Sequence, residues 1–97
     1  MPKGYWIVTL DVNDPSTYAA YQAFVEPFLV ANGGRFVVRG GRFETVEGES
    51  RTRQVVVEFE SYDKALAVYR SAEYQAGTQD RFKSCVSDFV IAEGYRG

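Results

Sequence analysis

The sequence predicts an α+β fold in which one four-stranded antiparallel sheet carries its helices on one face. Segments rich in aromatic and β-branched residues alternate with segments whose apolar residues recur at helical spacing, in the order strand, helix, strand, strand, helix, strand. Two strand-helix-strand halves in succession form the split β-α-β arrangement, also called ferredoxin-like. The length of 97 residues fits a single domain over residues 1–97.

The first half contains a strand, a helix and a second strand. Aromatic and β-branched residues dominate residues 5–12, which predicts the strand. Asp14 and Pro15 suit the N-cap and first position of a helix. Pro27 removes a backbone donor inside the helical pattern, so we expect it to kink the helix or split it near Ala23.

The remaining elements follow from glycine, serine and strand patterns. Glycine after Asn32 ends the helix, and Ser61 and Ser71 suit the N-caps of two further helical pieces. The predicted elements are a strand at 35–39, a bend at 40–41, extended chain at 42–46, a turn at 47–50, a strand at 53–59, helical pieces from 61 and over 72–82, and a strand at 87–93.

Both faces of the predicted sheet are apolar. Trp6, Val8 and Leu10 share one face of the first strand, yet Tyr5 and Ile7 lie on the other. Helices cover one face, and a sheet with a solvated second face should alternate apolar and polar residues. We therefore predict a homodimer whose sheets face each other.

Composition excludes several classes of function. Net charge is −2 and no basic stripe occurs, so we expect no nucleic-acid partner. No apolar run is long enough for a membrane span and no signal-peptide pattern begins the chain, so we expect a cytoplasmic protein without membrane contact. The absence of histidine and the single cysteine predict no metal site and no cofactor.

Glu58 is a carboxylate inside the apolar strand 53–59, and such a group is costly to bury without a partner. In a hairpin turning at residues 48–49, positions whose numbers sum to 97 face each other, which places Arg39 opposite Glu58. The pair is either a ligand site, with Arg39 holding an anion, or a buried ion pair that fixes strand register. The sequence does not fix which sheet face carries Glu58, but the apolar set at 55, 57 and 59 suits the helix side and so favours the dimer side for Glu58.

Tyrosines supply the other candidate site residues. Tyr18, Tyr21, Tyr69 and Tyr74 lie on predicted helices that cover the sheet. Their hydroxyls either line a pocket between helices and sheet or belong to ordinary core packing. We include them with Arg39 and Glu58 as candidate ligand-binding residues.

Four segments also carry a family resemblance, at residues 3–6, 33–41, 57–59 and 69–75. Their sequences KGYW, GGRFVVRGG, VEF and YRSAEYQ are similar to those of the domain of unknown function 1330 family, in the dimeric α/β-barrel superfamily. The resemblance implies a dimeric α/β barrel. The superfamily includes cofactor-independent monooxygenases, lactone isomerases, haem-dependent enzymes and sensing domains, several of which depend on histidine.

Three functions therefore remain open. The first is a homodimer that binds a small, anionic or aromatic organic molecule in a pocket near Arg39 and Glu58. The second is a cofactor-independent isomerase or monooxygenase-like enzyme, in which Glu58 acts as base and Arg39 stabilises an oxyanion. The third is a purely structural dimer.

Overall fold

The structure is a computed structural model and describes residues 2–96. It confirms the predicted α+β class and the order of the two halves. The elements are β1 (Gly4–Val12), α1 (Pro15–Ala31), β2 (Arg35–Arg39), β3 (Arg53–Phe59), α2 (Tyr62–Arg70), α3 (Ala72–Gly77), α4 (Gln79–Ser84) and β4 (Cys85–Glu93).

The four strands form one sheet in the order β2-β3-β1-β4, and every neighbouring pair is antiparallel. The long β1 and β4 strands pair along their whole length, from Gly4 opposite Glu93 to Val12 opposite Cys85. The short β2 strand lies at the edge beyond β3. This order places the strand with the most buried residues, β1, in the middle of the sheet.

Side-chain caps begin the helices where the sequence predicted them. The Asp14 carboxylate accepts from the Thr17 backbone N–H at the start of α1, with Pro15 in the first position. Ser61 and Ser71 cap α2 and α3 by the same type of bond. The caps satisfy backbone donors that no intrahelical carbonyl can reach.

Two helix predictions, a split of α1 at Pro27 and a single piece over 72–82, were wrong. The helix α1 runs unbroken to Ala31, and Phe28 and Leu29, next to Pro27, are buried in the core. The single piece predicted over 72–82 is two helices, which meet at Thr78. Glycine favours a break at position 77, where the Phe24 ring also occupies the space that a side chain would need.

The core lies between the helices and one face of the sheet. Trp6, Val8 and Leu10 of β1 are at most 5% exposed, as are Val57 and Phe59 of β3, which confirms the face predicted to meet the helices. The Trp6 indole N–H donates to the Ala65 carbonyl at 2.9 Å and so ties β1 to α2.

The other side of the sheet, here called the open face, has no helix over it. Its members follow from strand alternation and register: Tyr5, Ile7, Thr9, Asp11, Arg35, Val38, Gln54, Val56, Glu58, Val86, Asp88, Val90 and Ala92. Ile7, Val38, Val86 and Val90 are each more than 40% exposed. Both faces of the sheet are thus apolar, as the sequence indicated.

The connection between β2 and β3 departs from the prediction of extended chain. Residues 40–52 form no regular secondary structure apart from bends. Gly40 has φ of 64°, a left-handed conformation that favours glycine, and its N–H donates to the Gln54 carbonyl of β3 at 2.9 Å. In residues 2–96, no helix has the length and apolar character that crossing a bilayer requires.

Candidate functional site

Arg39 and Glu58 do not face each other, so the predicted pair was wrong. Glu58 lies opposite Arg35, whereas Arg39 lies opposite Val55. The predicted register assumed a regular hairpin that turns at residues 48–49. The connection over residues 40–52 is irregular, so its length does not determine how β2 pairs with β3. A shift between Phe36 and Val38 adds a further displacement. Burial of apolar side chains toward the helices sets the register instead.

Glu58 lies on the open face, as its strand position predicted, and it has two partners there. The Tyr5 hydroxyl donates to Glu58 Oε2 at 2.9 Å, and Arg35 Nη2 lies 3.1 Å from Oε1. The bond from Tyr5, followed by that from Arg35, holds the pKa of the Glu58 carboxyl below its usual range. A carboxylate stabilised in its charged form is a weak general base.

Arg39 points to the helix side of the sheet. Its Nη2 lies 3.3 Å from Glu26 Oε2 of α1, and its guanidinium lies 4.3 Å from the centre of the Phe36 ring. Arg39 and Glu58 therefore belong to opposite faces. The mechanism with Glu58 as base and Arg39 as oxyanion stabiliser needs both groups in one site, and the chain does not bring them together.

A cavity of about 30 Å³ lies on the helix side, between α1, α4 and the sheet. Its volume is enough for a very few water molecules. Most of its wall is apolar, and its polar wall residues are Tyr18, Tyr21, Gln22, Arg39, Arg53 and Arg81. Three of the six predicted ligand-binding residues, Arg39, Tyr18 and Tyr21, thus share one cavity wall.

Tyr18 and Arg53 form one part of this wall. Arg53 Nε donates to the Tyr18 hydroxyl oxygen at 3.1 Å, and its guanidinium lies 5.6 Å from the centre of the ring. The Arg53 guanidinium also lies against Gly40, where any side chain would displace it. Burial raises the pKa of Tyr18, so the phenol keeps its proton at neutral pH.

Tyr21 connects the cavity to a residue behind it. Its hydroxyl lies 2.8 Å from the hydroxyl of Tyr74, which is fully buried and does not line the cavity. Burial, with Tyr74 close by, raises the pKa of Tyr21. Tyr69 lies away from the cavity wall and makes edge-on contacts with the Trp6 and Phe89 rings.

The sequence did not reveal three polar residues of the cavity wall, Gln22, Arg53 and Arg81, of which Arg81 is the most buried. It lies in α4, and only 2% of the residue is exposed. Nε donates to Thr78 Oγ1 at 3.1 Å and Nη1 donates to the Ser87 hydroxyl, which joins α4 to β4. Asp80 and Lys83 make the segment resemble a solvent-exposed helix. The sequence pattern predicts one continuous helix over 72–82 and gives no sign of the break at Thr78. No sequence signal distinguishes Arg81 from a surface arginine.

The chain was compared with known protein families and solved structures. The model for a domain of unknown function, DUF1330, matches residues 3–95. The chain belongs to this family. No curated protein matches it. The family assignment confirms the resemblance seen in the sequence.

Three solved structures show the same fold. A Rhodopseudomonas palustris protein of unknown function is 15% identical with a TM-score of 0.79, over 99% of this chain and 85% of that one. A provisionally named antibiotic biosynthesis monooxygenase from Caulobacter crescentus is 13% identical with a TM-score of 0.61, over 98% of this chain and 92% of that one.

The third is a Bacteroides fragilis protein of unknown function, described as dimeric and ferredoxin-like. It is 13% identical with a TM-score of 0.56, over 94% of this chain and 95% of that one. The neighbours show that this DUF1330 domain shares a ferredoxin-like fold with them. Identities this low establish the fold alone.

Proposed function

We propose that this DUF1330 domain is a homodimer that binds a small organic molecule in the cavity between its helices and its sheet. The observation that carries this proposal is the placement of Tyr18, Tyr21 and Arg81 around one cavity inside an otherwise apolar core. Small-molecule sites combine apolar walls with a few convergent polar groups in this way. Glu58 is not part of the proposed site.

The mouth of the cavity supports entry of a ligand larger than the enclosed volume. Arg39 is 31% exposed at its side chain, and Arg53 is half-buried, so both guanidiniums can move outward. Arg81 is fixed deeper, by Thr78 and Ser87. Movement of the two outer arginines would enlarge the cavity without disturbing its inner wall.

The open face supports dimerisation through a second copy of the chain. Ile7, Val56 and Val90 lie side by side across three strands and form an apolar centre. Charged groups flank this centre, with Arg35 and Glu58 at one end and Arg51 with two aspartates at the other. An apolar centre with a polar rim is the usual anatomy of a protein interface.

Native mass spectrometry of the purified protein tests the proposed binding. Gentle spraying should show a dimer with added mass, and denaturation should release that mass. Val55→Phe, which places a ring against the cavity, should reduce the bound fraction at least about tenfold because overpacking removes the space. Val30→Phe is the control, since Val30 is 71% exposed on α1.

Two outcomes would contradict the binding proposal. A wild-type protein that carries no added mass, also after incubation with extract of its expression host, would leave the cavity without a ligand. Equal added mass in both phenylalanine variants would place the bound molecule outside the cavity.

A further inference from the structure

Among the described residues 2–96, the cavity wall is rich in positive charge and holds no carboxylate. Three guanidiniums line it, from Arg39, Arg53 and Arg81, and no aspartate or glutamate does. Arg39 has Glu26 as its partner at the surface. Neither Arg53 nor Arg81 has a carboxylate within 4.0 Å among residues 2–96.

Arg81 is the most buried of these three arginines, with only 2% of the residue exposed. A buried charge without a counter-ion is costly to the folded state. Its guanidinium carbon lies over the rings of Phe82 and Phe89, at 4.7 Å and 5.1 Å from the ring centres. These cation–π contacts offset part of the cost and use none of the N–H donors as conventional hydrogen bonds.

The hydrogen bonds of the Arg81 guanidinium use only some of its N–H donors. A guanidinium has five N–H donors. Within residues 2–96, Arg81 donates one bond from Nε to Thr78 and one from Nη1 to Ser87. Three donors remain without a protein acceptor, on the side chain that forms the inner wall of the cavity.

The two cavity tyrosines also offer protons. The Tyr18 oxygen already accepts from Arg53, so its own proton is free for another acceptor. The hydroxyls of Tyr21 and Tyr74 share one hydrogen bond. Donation from the enclosed Tyr74 to Tyr21 satisfies both groups best, because the Tyr21 proton then points toward the cavity. The wall is therefore dominated by donors.

We propose that the group recognised in this cavity is the carboxylate of a small organic acid, with Arg81 as its counter-ion. A carboxylate is planar, accepts two parallel N–H bonds from a guanidinium and brings the missing negative charge. The apolar remainder of the wall, including Trp6 and Val25, suits the hydrocarbon part of such an acid. This inference rests on the proposed function, whose ligand it assigns to a chemical class.

Calorimetric titration with matched acids and amides tests the assignment on the wild-type protein. The probes are propionate with propionamide and cyclohexanecarboxylate with its amide, at a pH where both acids are ionised. Each acid should bind about tenfold or more tightly than its amide, since hydrogen bonds to a charged acceptor are stronger than those to a neutral one. The comparison needs no variant and so does not depend on refolding.

Variants then locate the preference. Arg81→Gln should abolish the preference for acid over amide, and Arg81→Lys, which keeps the charge but loses the planar fork, should retain part of it. Arg70→Gln is the matched control because Arg70 lies exposed at the end of α2. Its acid preference should equal that of the wild type.

Several results would overturn the assignment. Equal affinity for acid and amide would do so, as would folded Arg81→Gln that still prefers the acid, or no acid binding at about 10 mM, a concentration that detects even very weak complexes. A neutral organic molecule released in native mass spectrometry would leave the proposed function intact and overturn the carboxylate assignment. Unchanged added mass in Val55→Phe would instead remove the proposed function itself.

Discussion

At the scale of single residues, the charged group on the open face and the buried one in the cavity wall have different kinds of partner. Glu58 has a hydroxyl and a guanidinium as partners, so its charge is matched within the chain. Among residues 2–96, the partners of Arg81 are hydroxyls and aromatic rings and include no carboxylate. The charge of Glu58 is thus matched within the chain, whereas Arg81 is the cation that we propose to meet a ligand.

The Glu58 contacts predict a change in its titration. Because the folded pKa lies below the usual value, ionised Glu58 stabilises the fold at neutral pH, and this stabilisation is lost as pH falls through the folded pKa. Tyr5→Phe removes the largest cause of the lowered pKa, so the folded pKa should rise, and the loss of stability should be smaller and complete at a higher pH. Carbon-13 NMR of the Glu58 carboxyl measures it, with Tyr95→Phe, at a 97% exposed site, as control. An unchanged pKa in Tyr5→Phe would refute the hydrogen bond.

The same residues show where sequence reasoning reaches its limit. Alternation within the strand separated Glu58 from Val55, Val57 and Phe59 and favoured the correct face without fixing it, because the period of two is a local property. Its partner was misassigned, since pairing depends on a connection without regular structure. Arg81 was missed because its burial results from the break at Thr78 and from the packing of α4 against α1, which is distant in sequence. Local patterns thus predict faces and caps, and tertiary contacts decide partners.

At the scale of elements, β1 approaches the start of α2 so closely that Gly4 has no room for a side chain. A Cβ added to Gly4 would lie 2.2 Å from the Ser61 carbonyl oxygen, which belongs to backbone and cannot move aside easily. The sequence marks Ser61 as a cap, and this was confirmed. The sequence gives no sign that Gly4 must lack a side chain for α2 to pack against the sheet.

This contact predicts a large difference between two glycine substitutions. Gly4→Ala should lower the free energy of unfolding by about 3 kcal/mol, because the backbone must shift to relieve the overlap. Gly41→Ala is the matched control: nothing lies within 4 Å of its added Cβ, and the change should be within about 1 kcal/mol of zero. Urea denaturation followed by circular dichroism compares them. Equal stabilities would show that β1 and α2 are not in close contact.

At the scale of the whole molecule, the fold is a slab of one sheet and one helical layer, with extents of 38 × 36 × 17 Å. A slab this thin leaves one broad sheet surface without cover. The sequence predicted this arrangement from apolar residues on both strand faces, and the fold class was predicted correctly. The pairing of two such slabs through their open faces would bury the apolar centre described above.

Charge placed at the middle of the open face should therefore prevent dimerisation. Ile7→Lys or Val90→Lys introduces a cation at facing positions of neighbouring strands, and each should weaken the dimer at least about tenfold because an unpaired charge would be buried. Val30→Lys on the exposed side of α1 is the control. Sedimentation equilibrium at micromolar concentration gives the masses. A wild-type monomer under these conditions would exclude the proposed interface.

The single tryptophan has a further consequence for anyone who studies this chain in solution. Trp6 is 1% exposed, borders the cavity, and is surrounded by the rings of Phe59, Tyr69, Tyr74 and Phe89. Selective excitation of indole fluorescence thus interrogates one place, the apolar interior beside the cavity, without any attached dye. Trp6 is therefore an intrinsic fluorophore whose emission should change when a molecule binds in the cavity.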